Sequence, residues 1–531
     1  MAIATEIRKR NSRIHLSAGD IAYTICWLCM FLFVFTAVSK IVLYDEFTLQ
    51  LGKSPITNPY AGFLLWAVPG LEILVGVCLV IPVTFVQRIA LYAFFTLMSG
   101  FTVYIALLTS ISEDVPCGCI GISEKLSIPW HIALNILFTG LAVLALRLTG
   151  LRWQVVFAGT ISCAVMGSLV VYFGYRQRLG AHPEQHPFAR HMMHAFNEPN
   201  RDTNLGVNSY YYAGTGSDGY IYLGNGTAPF HLLRIDRELR DTQHVRIQVA
   251  DTSLSQLFAP KAAVRGNHFY LMDGIKPAIL KGEIGIWQAD RYLFDSLYFN
   301  AAVPMGSGAA AVRILSNRTD TYALAKENHI GYTLAPSLLE KQVDGKFCMD
   351  GMLRFDPAQN LVIYTYYYRN QFIVADSNLT LLYRGRTLDT TAHARVKVSI
   401  STKDGSETLS APTTVVNKST ATALGKLFIH SSIMGLEENE SDFVRTATID
   451  VYDLTNGTYR YSFRLPKRGK YSMREFWIDE NSQTLYALYG KELVSFPLLE
   501  NKTFINDILP AGKMPVTKPA ALFTTFLTKF Y

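Results

Sequence analysis

Residues 62–82 read GFLLWAVPGLEILVGVCLVIP, a run whose single charged side chain is Glu72. About 20 apolar residues are what an α-helix needs to cross roughly 30 Å of hydrocarbon. A surface helix keeps a polar face opposite its apolar stripe, and this run has none. It reads as a membrane span. Four similar runs lie near 21–43, 89–109, 131–148 and 155–173. The first is too long for a removable signal peptide and lacks a small-residue cleavage site, so it should stay as an anchor.

Orientation follows from basic residues in short loops. Arg8, Lys9, Arg10 and Arg13 precede the first span, Arg88 lies in the second loop, and Arg147 and Arg152 lie in the fourth, so these segments should be cytoplasmic. The first and third loops, carrying Asp45, Glu46, Glu113 and Asp114, then face outward, and five spans bring the rest of the chain to the same side. Arg176 and Arg178 pull the other way. The expected orientation has the N-terminus cytoplasmic and the C-terminal domain on the outer side.

The 531 residues are 50% hydrophobic and 17% charged, an average over two unlike parts. Residues 1–180 hold 12 Lys+Arg and 8 Asp+Glu, whereas the remaining 351 hold 37 and 34. The net charge of +7 has no basic block to concentrate it, so nucleic acid is not an expected partner. Seven cysteines are too few for a disulfide scaffold, and all but Cys348 lie in the first part. Thiol chemistry must therefore be local.

Lys40, near the outer end of the first span, and Glu72, near the middle of the second, lie well inside the apolar runs. A charge there is costly unless paired or hydrated. Lys40 can snorkel to the headgroups or hold the loop end of its helix. Glu72 reads as protonated, hydrogen-bonded within the bundle, or part of a proton or quinone site. In the third loop, Gly118 separates Cys117 and Cys119 and can take the φ values that a tight ring needs. Such a disulfide would be strained and exchangeable, and an exposed loop admits thiolate attack. A permanent disulfide and a metal-binding pair are the other readings. Cys26, Cys29 and Cys78 read as bundle packing. His182, His186, His191 and His194 cluster among prolines without a fixed ligand spacing, so a juxtamembrane linker over 179–204 is expected and a metal is not.

Five motifs in order complete the membrane part: Phe35-Thr36-Ala37-Val38-Ser39-Lys40, Asp45-Glu46-Phe47, Pro69-Gly70-Leu71-Glu72-Ile73, Cys117-Gly118-Cys119-Ile120-Gly121, and Trp130-His131 with Asn135. On these residues it resembles the MauE and DoxX-like family of redox-associated membrane proteins. That family's loop usually ends Cys-Phe-Gly, and Ile120 stands here for the aromatic. The resemblance implies a four-helix domain over 21–150 in a bacterial inner membrane, which with the orientation above leaves a cytoplasmic segment 1–20, an added fifth span over 151–178 and a periplasmic C-terminal domain. It also implies periplasmic disulfide handling of the kind MauE provides in methylamine dehydrogenase maturation. Cys117 and Cys119 would be the redox pair, Glu72 and Lys40 would support it, and a thioredoxin-like protein would be its partner. A quinone is the cofactor class open to such a site. Nothing in the chain reads amine chemistry.

From about residue 205, short β-rich runs alternate with Gly, Asn and Asp turns. Strand–turn–strand units recur at 219–235, 267–286, 320–334, 361–374, 426–452 and 484–497. Six units in 205–531 fit a six-bladed β-propeller of four-stranded blades, similar to the TolB-like propellers frequent in Bacteroidetes. The fold fixes no function, but a periplasmic protein or peptide client is the expected ligand. Tyr366, Tyr368, Arg369 and Asn370 have hot-spot composition and are the candidate contact set; strand alternation sends Tyr367 to the opposite face. Cys348 reads as buried. No hydrolase elbow, zinc-protease helix, phosphate loop or dinucleotide fingerprint occurs. The rival to a redox protein is a non-catalytic receptor or assembly and export factor acting through the propeller.

Overall fold

A computed structural model describes residues 17–111 apart from 55, 58 and 59, residues 128–179, and residues 183–499 apart from 197, 251–256, 294–296, 307, 397, 401–406 and 410–412. The N-terminal part consists of helices α1 (Ala18–Val42), α2 (Tyr44–Lys53), α3 (Ala61–Val80), α4 (Thr84–Ile111), α5 (Ile128–Leu148) and α6 (Trp153–Leu179). Among the described residues, all but α2 are long and apolar enough to cross a membrane, at the five places the sequence predicts. A capping box starts α1: the Asp20 amide donates to Ser17 Oγ at 3.1 Å, and the Ser17 amide donates to the Asp20 carboxylate at 3.0 Å. Phe31, Phe63, Trp66 and Val170 point outward, as lipid-facing side chains do. Cys26 and Cys29 are fully buried against Phe33, Leu79 and Phe94, in the packing role expected of them. Helices α4 and α6 approach at Gly167, where a Cβ would stand 2.7 Å from the Thr96 carbonyl, so only glycine lets the backbones meet there.

The rest is a six-bladed propeller. Blades 1 to 5 are four strands each within 210–246, 261–293, 299–335, 351–386 and 417–466, blade 2 having the short strand Gln248–Val249 added. Blade 6 takes three strands from 473–497 and its outer strand, Arg201–Asn204, from the other end of the domain. That strand pairs antiparallel with Glu492–Ser495 and closes the ring. Middle strands such as Ile221–Asn225 and Leu361–Tyr366 are buried at every position because each blade is packed on both faces. They therefore read as continuous apolar and aromatic runs rather than alternation.

The stretch expected to be a linker over 179–204 is built into this domain from Glu184 onward, so the propeller begins before residue 205. Gln185–His186 pairs in parallel with Met434–Gly435. His186, 6% exposed, has Nε2 at 2.9 Å from Glu184 and Nδ1 at 3.2 Å from the Thr390 amide, so both ring nitrogens are engaged with the fold. Met192 bridges Ser462 and Phe196 bridges Leu498, which lays the segment along blades 5 and 6 before it turns back as the closing strand. Arg190 anchors it. Its side chain is wholly buried and donates to Asp450 at 2.7 and 3.1 Å, to Ser431 Oγ at 2.9 Å, to the Ile433 carbonyl at 3.0 Å and to Glu438. Proline and histidine content hid this because the partners lie some 250 residues away.

Removing one member of a buried charge cluster strands the others, at a cost of about 3–5 kcal/mol. Arg190→Ala is therefore expected to lower propeller stability by that order, read as a shifted unfolding midpoint of the full-length protein in detergent, with Arg201→Ala, a half-exposed pair to Glu238, as the mild control. A second expectation concerns His430, which is 4% exposed; burial and the neighbouring Lys418 and Lys467 ammonium groups push its imidazole down to about 3. Because the folded value lies below the unfolded one near 6.5, stability is complete above that pH and falls as pH drops toward 3, by up to ~1.4 kcal/mol per pH unit. Urea titrations between pH 7 and 5 should show the loss in the wild type and a flatter profile in His430→Asn.

Candidate functional site

Four helices converge on the buried polar groups of the bundle. Thr36 and Lys40 lie one turn apart on α1 and so share a face, as do His131 and Asn135 on α5. Glu72 comes from α3, and Thr102 and Ile105 from α4. Lys40 Nζ donates to both Glu72 carboxylate oxygens, at 2.8 and 2.9 Å, and to the Thr36 carbonyl at 3.4 Å. The two side chains are 2% and 1% exposed. Lys40 thus turns inward to its counter-charge instead of snorkelling, and Glu72 is held within the bundle by an ion pair. Asn135 Nδ2 donates to Thr102 Oγ1 at 3.3 Å, tying α5 to α4.

Between these groups is a cavity of about 20 Å³ lined by Thr36, Glu72, His131 and Asn135 and walled by Phe33, Phe101 and Ile105. That is room for about one water molecule with polar partners. It does not admit a quinone ring in this conformation. The site lies toward one end of the bundle: Lys40 is two residues from the end of α1, Ile105 is near the end of α4, and His131 is in the first turn of α5. The loop bearing Cys117 and Cys119 joins those ends of α4 and α5; both cysteines lie outside the described residues.

Sequence reasoning singled out Lys40 and Glu72 separately, and the structure brings them together. It assigned no role to His131 and Asn135, although both stand in the family motif. The available signal was two polar residues at i and i+4 in the first turns of an apolar span. In the propeller, Tyr366 and Arg369 are fully buried and Asn370 nearly so. The Tyr366 hydroxyl accepts from the Glu340 amide at 3.1 Å, the Arg369 guanidinium stacks 3.6 Å over the Tyr366 ring, and Asn370 Nδ2 donates to the Asp389 carbonyl at 2.5 Å. Connections from later in the chain cover this turn, leaving half-buried Tyr368 as the member of the set with surface to offer. Cys348 is buried, its thiol donating to the Asp344 carbonyl at 2.8 Å.

A buried pair is worth little beyond its own desolvation, but half of it is strongly destabilising. Lys40→Met and Glu72→Leu should each lower the unfolding midpoint of the purified protein in detergent, and the double substitution should recover most of the loss. A double variant as unstable as the sum of the two singles would mean that the pair does not exist in the membrane domain.

Residues 19–148 match the sequence model of the family described as "Methylamine utilisation protein MauE". No curated protein matches the chain. Among solved structures, a member of the DUF4221 family from Bacteroides vulgatus is 10% identical at a TM-score of 0.37, covering 59% of this chain and 99% of that one. A nidogen/laminin complex is 11% identical at 0.30, covering 48% and 81%. Neither likeness bears on function.

Proposed function

We propose, from this MauE-family membrane region joined to a propeller, that the protein exchanges disulfide equivalents through Cys117 and Cys119 on the outer face of a bacterial inner membrane. The propeller would engage an exported protein or peptide client in the periplasm. The observation that carries the reading is the placement of the Lys40–Glu72 pair and the cavity beside it, at the end of the bundle where α4 and α5 flank the cysteine loop. The arrangement of basic residues about the spans supports the orientation.

In the exchange, a client thiolate attacks one sulfur of the Cys117–Cys119 disulfide, whose S–S bond breaks with the other sulfur leaving as thiolate. The client's second thiol loses its proton, attacks the mixed disulfide and closes the client disulfide. Two electrons then rest on the loop pair until a thioredoxin-like disulfide removes them. Lys40 and Glu72 would keep the cavity polar beneath the loop, and His131 would be placed to carry a proton between cavity and loop. The propeller's size supports client engagement without naming the client.

Alkylation of intact membranes after a brief reductant pulse tests this. Cys117 and Cys119 are expected to appear first as thiols and then to disappear as they reoxidise, and Cys119→Ser is expected to accumulate a mixed disulfide through Cys117. If neither cysteine changes state and the double serine variant keeps full activity, the receptor or assembly reading replaces the redox one.

A further inference from the structure

In each blade, the connections from second to third strand and from one blade to the next emerge on one face of the ring, and the remaining turns on the other. The first face bears the long connections, among them 336–350, 387–416 and 432–445; the second bears short turns such as 357–360 and 424–425. The chain enters from the membrane on the long-loop face. Met434 donates its amide to the Glu184 carbonyl at 2.9 Å, and Gln185 Nε2 donates to the Gly435 and Leu436 carbonyls, both at 3.1 Å. Helix α6 ends at Leu179, only five residues before Glu184. Whatever path they take, five residues reach at most about 18 Å. One edge of the long-loop face is therefore held within that distance of the last membrane helix.

The same face carries exposed large apolar side chains spread around the ring: Val207 between blades 6 and 1, Phe258 between 1 and 2, Ile275 on blade 2, Tyr298 between 2 and 3, Val343 between 3 and 4, and Leu436 on blade 5. Apolar side chains scattered singly are ordinary on a soluble surface; here they share the face whose edge the tether holds near the last membrane helix. The short-turn face has Ile286 and Ile330 on neighbouring blades and no comparable ring among the described residues. A single client would use a compact patch, whereas apolar side chains spread around one whole face suit a planar apolar medium.

We infer that the long-loop face of the propeller lies on the lipid–water interface of the membrane its own helices cross, with these side chains dipping into the headgroup region and the short-turn face directed to solvent. Interfacial side chains of this kind bind by apolar burial at the acyl boundary, and the short tether removes most of the entropic cost of bringing the face there. The inference does not depend on the redox reading. It leaves the short-turn face and the outer walls of the blades as the routes open to a client.

The test uses the full-length protein in nanodiscs of phosphatidylethanolamine and phosphatidylglycerol, with the photo-crosslinking residue p-benzoylphenylalanine placed singly at Phe258, Tyr298, Leu436 or Ile330. Irradiation followed by mass spectrometry is expected to give lipid adducts at the first three positions, several-fold above Ile330. Adducts to the protein's own membrane helices, crosslinks to a second copy, or unreacted probe at all three positions would each overturn the proposal. So would equal lipid labelling at Ile330. Thermal unfolding of each labelled protein alongside the wild type confirms that the fold is intact.

Discussion

The pairing of Arg201–Asn204 with Glu492–Ser495 is the constraint on which the propeller half depends. A sheet edge left open exposes unpaired amides and carbonyls, and the core that packs Ile221 and Leu233 of blade 1 against Trp477 and Tyr486 of blade 6 forms only when the last blade meets the first. Here the closing strand comes from the segment that has just left the membrane. Ring closure and membrane attachment consequently share one segment, and while the strap that Arg190 fastens holds, one edge of the propeller stays within five residues' reach of α6.

Two buried charge clusters obey the same electrostatics and do different work. Arg190 is saturated by two carboxylates, a hydroxyl and a carbonyl, with Arg464 completing Glu438 at 2.9 Å. Each of the three Arg190 guanidinium nitrogens donates to one of these acceptors. Lys40 and Glu72 satisfy each other equally well, yet Glu72 also borders a space that holds about one water beside His131 and Asn135. A cluster that is fully packed fixes geometry. One that keeps a polar void at its edge leaves room for a proton to move, and this difference separates a fastening from a candidate working site.

How much of this the sequence made legible follows from the range of the interactions. The five spans and six blades are written in local patterns, because lipid solvates a helix all round and blade packing buries whole strands such as Leu361–Tyr366. Glu72 announced itself because a charge in an apolar run has no local excuse. Its partner could not be read from spacing, since 32 residues and a loop separate it from Lys40. The tyrosine cluster failed as a surface signal for the same reason: composition shows that Tyr366 and Arg369 can bind, but not that later connections roof them over. The strap around Arg190 was least legible of all, its prolines and histidines resembling a linker while Arg190's acidic partners lay in blade 5, far along the chain.

Sidedness ties these parts together. Helices alternate direction across the membrane, so the α4–α5 connection and the end of α6 emerge on the same side, and the strap delivers the propeller's long-loop face to that side as well. Thiol exchange needs access for a client but also a geometry that keeps unselected thiols away. A domain held by a reach of at most about 18 Å would supply such a screen through its position alone. Selectivity for the loop cysteines would then come from which segments can pass beside the propeller, with no specialised pocket required in either half.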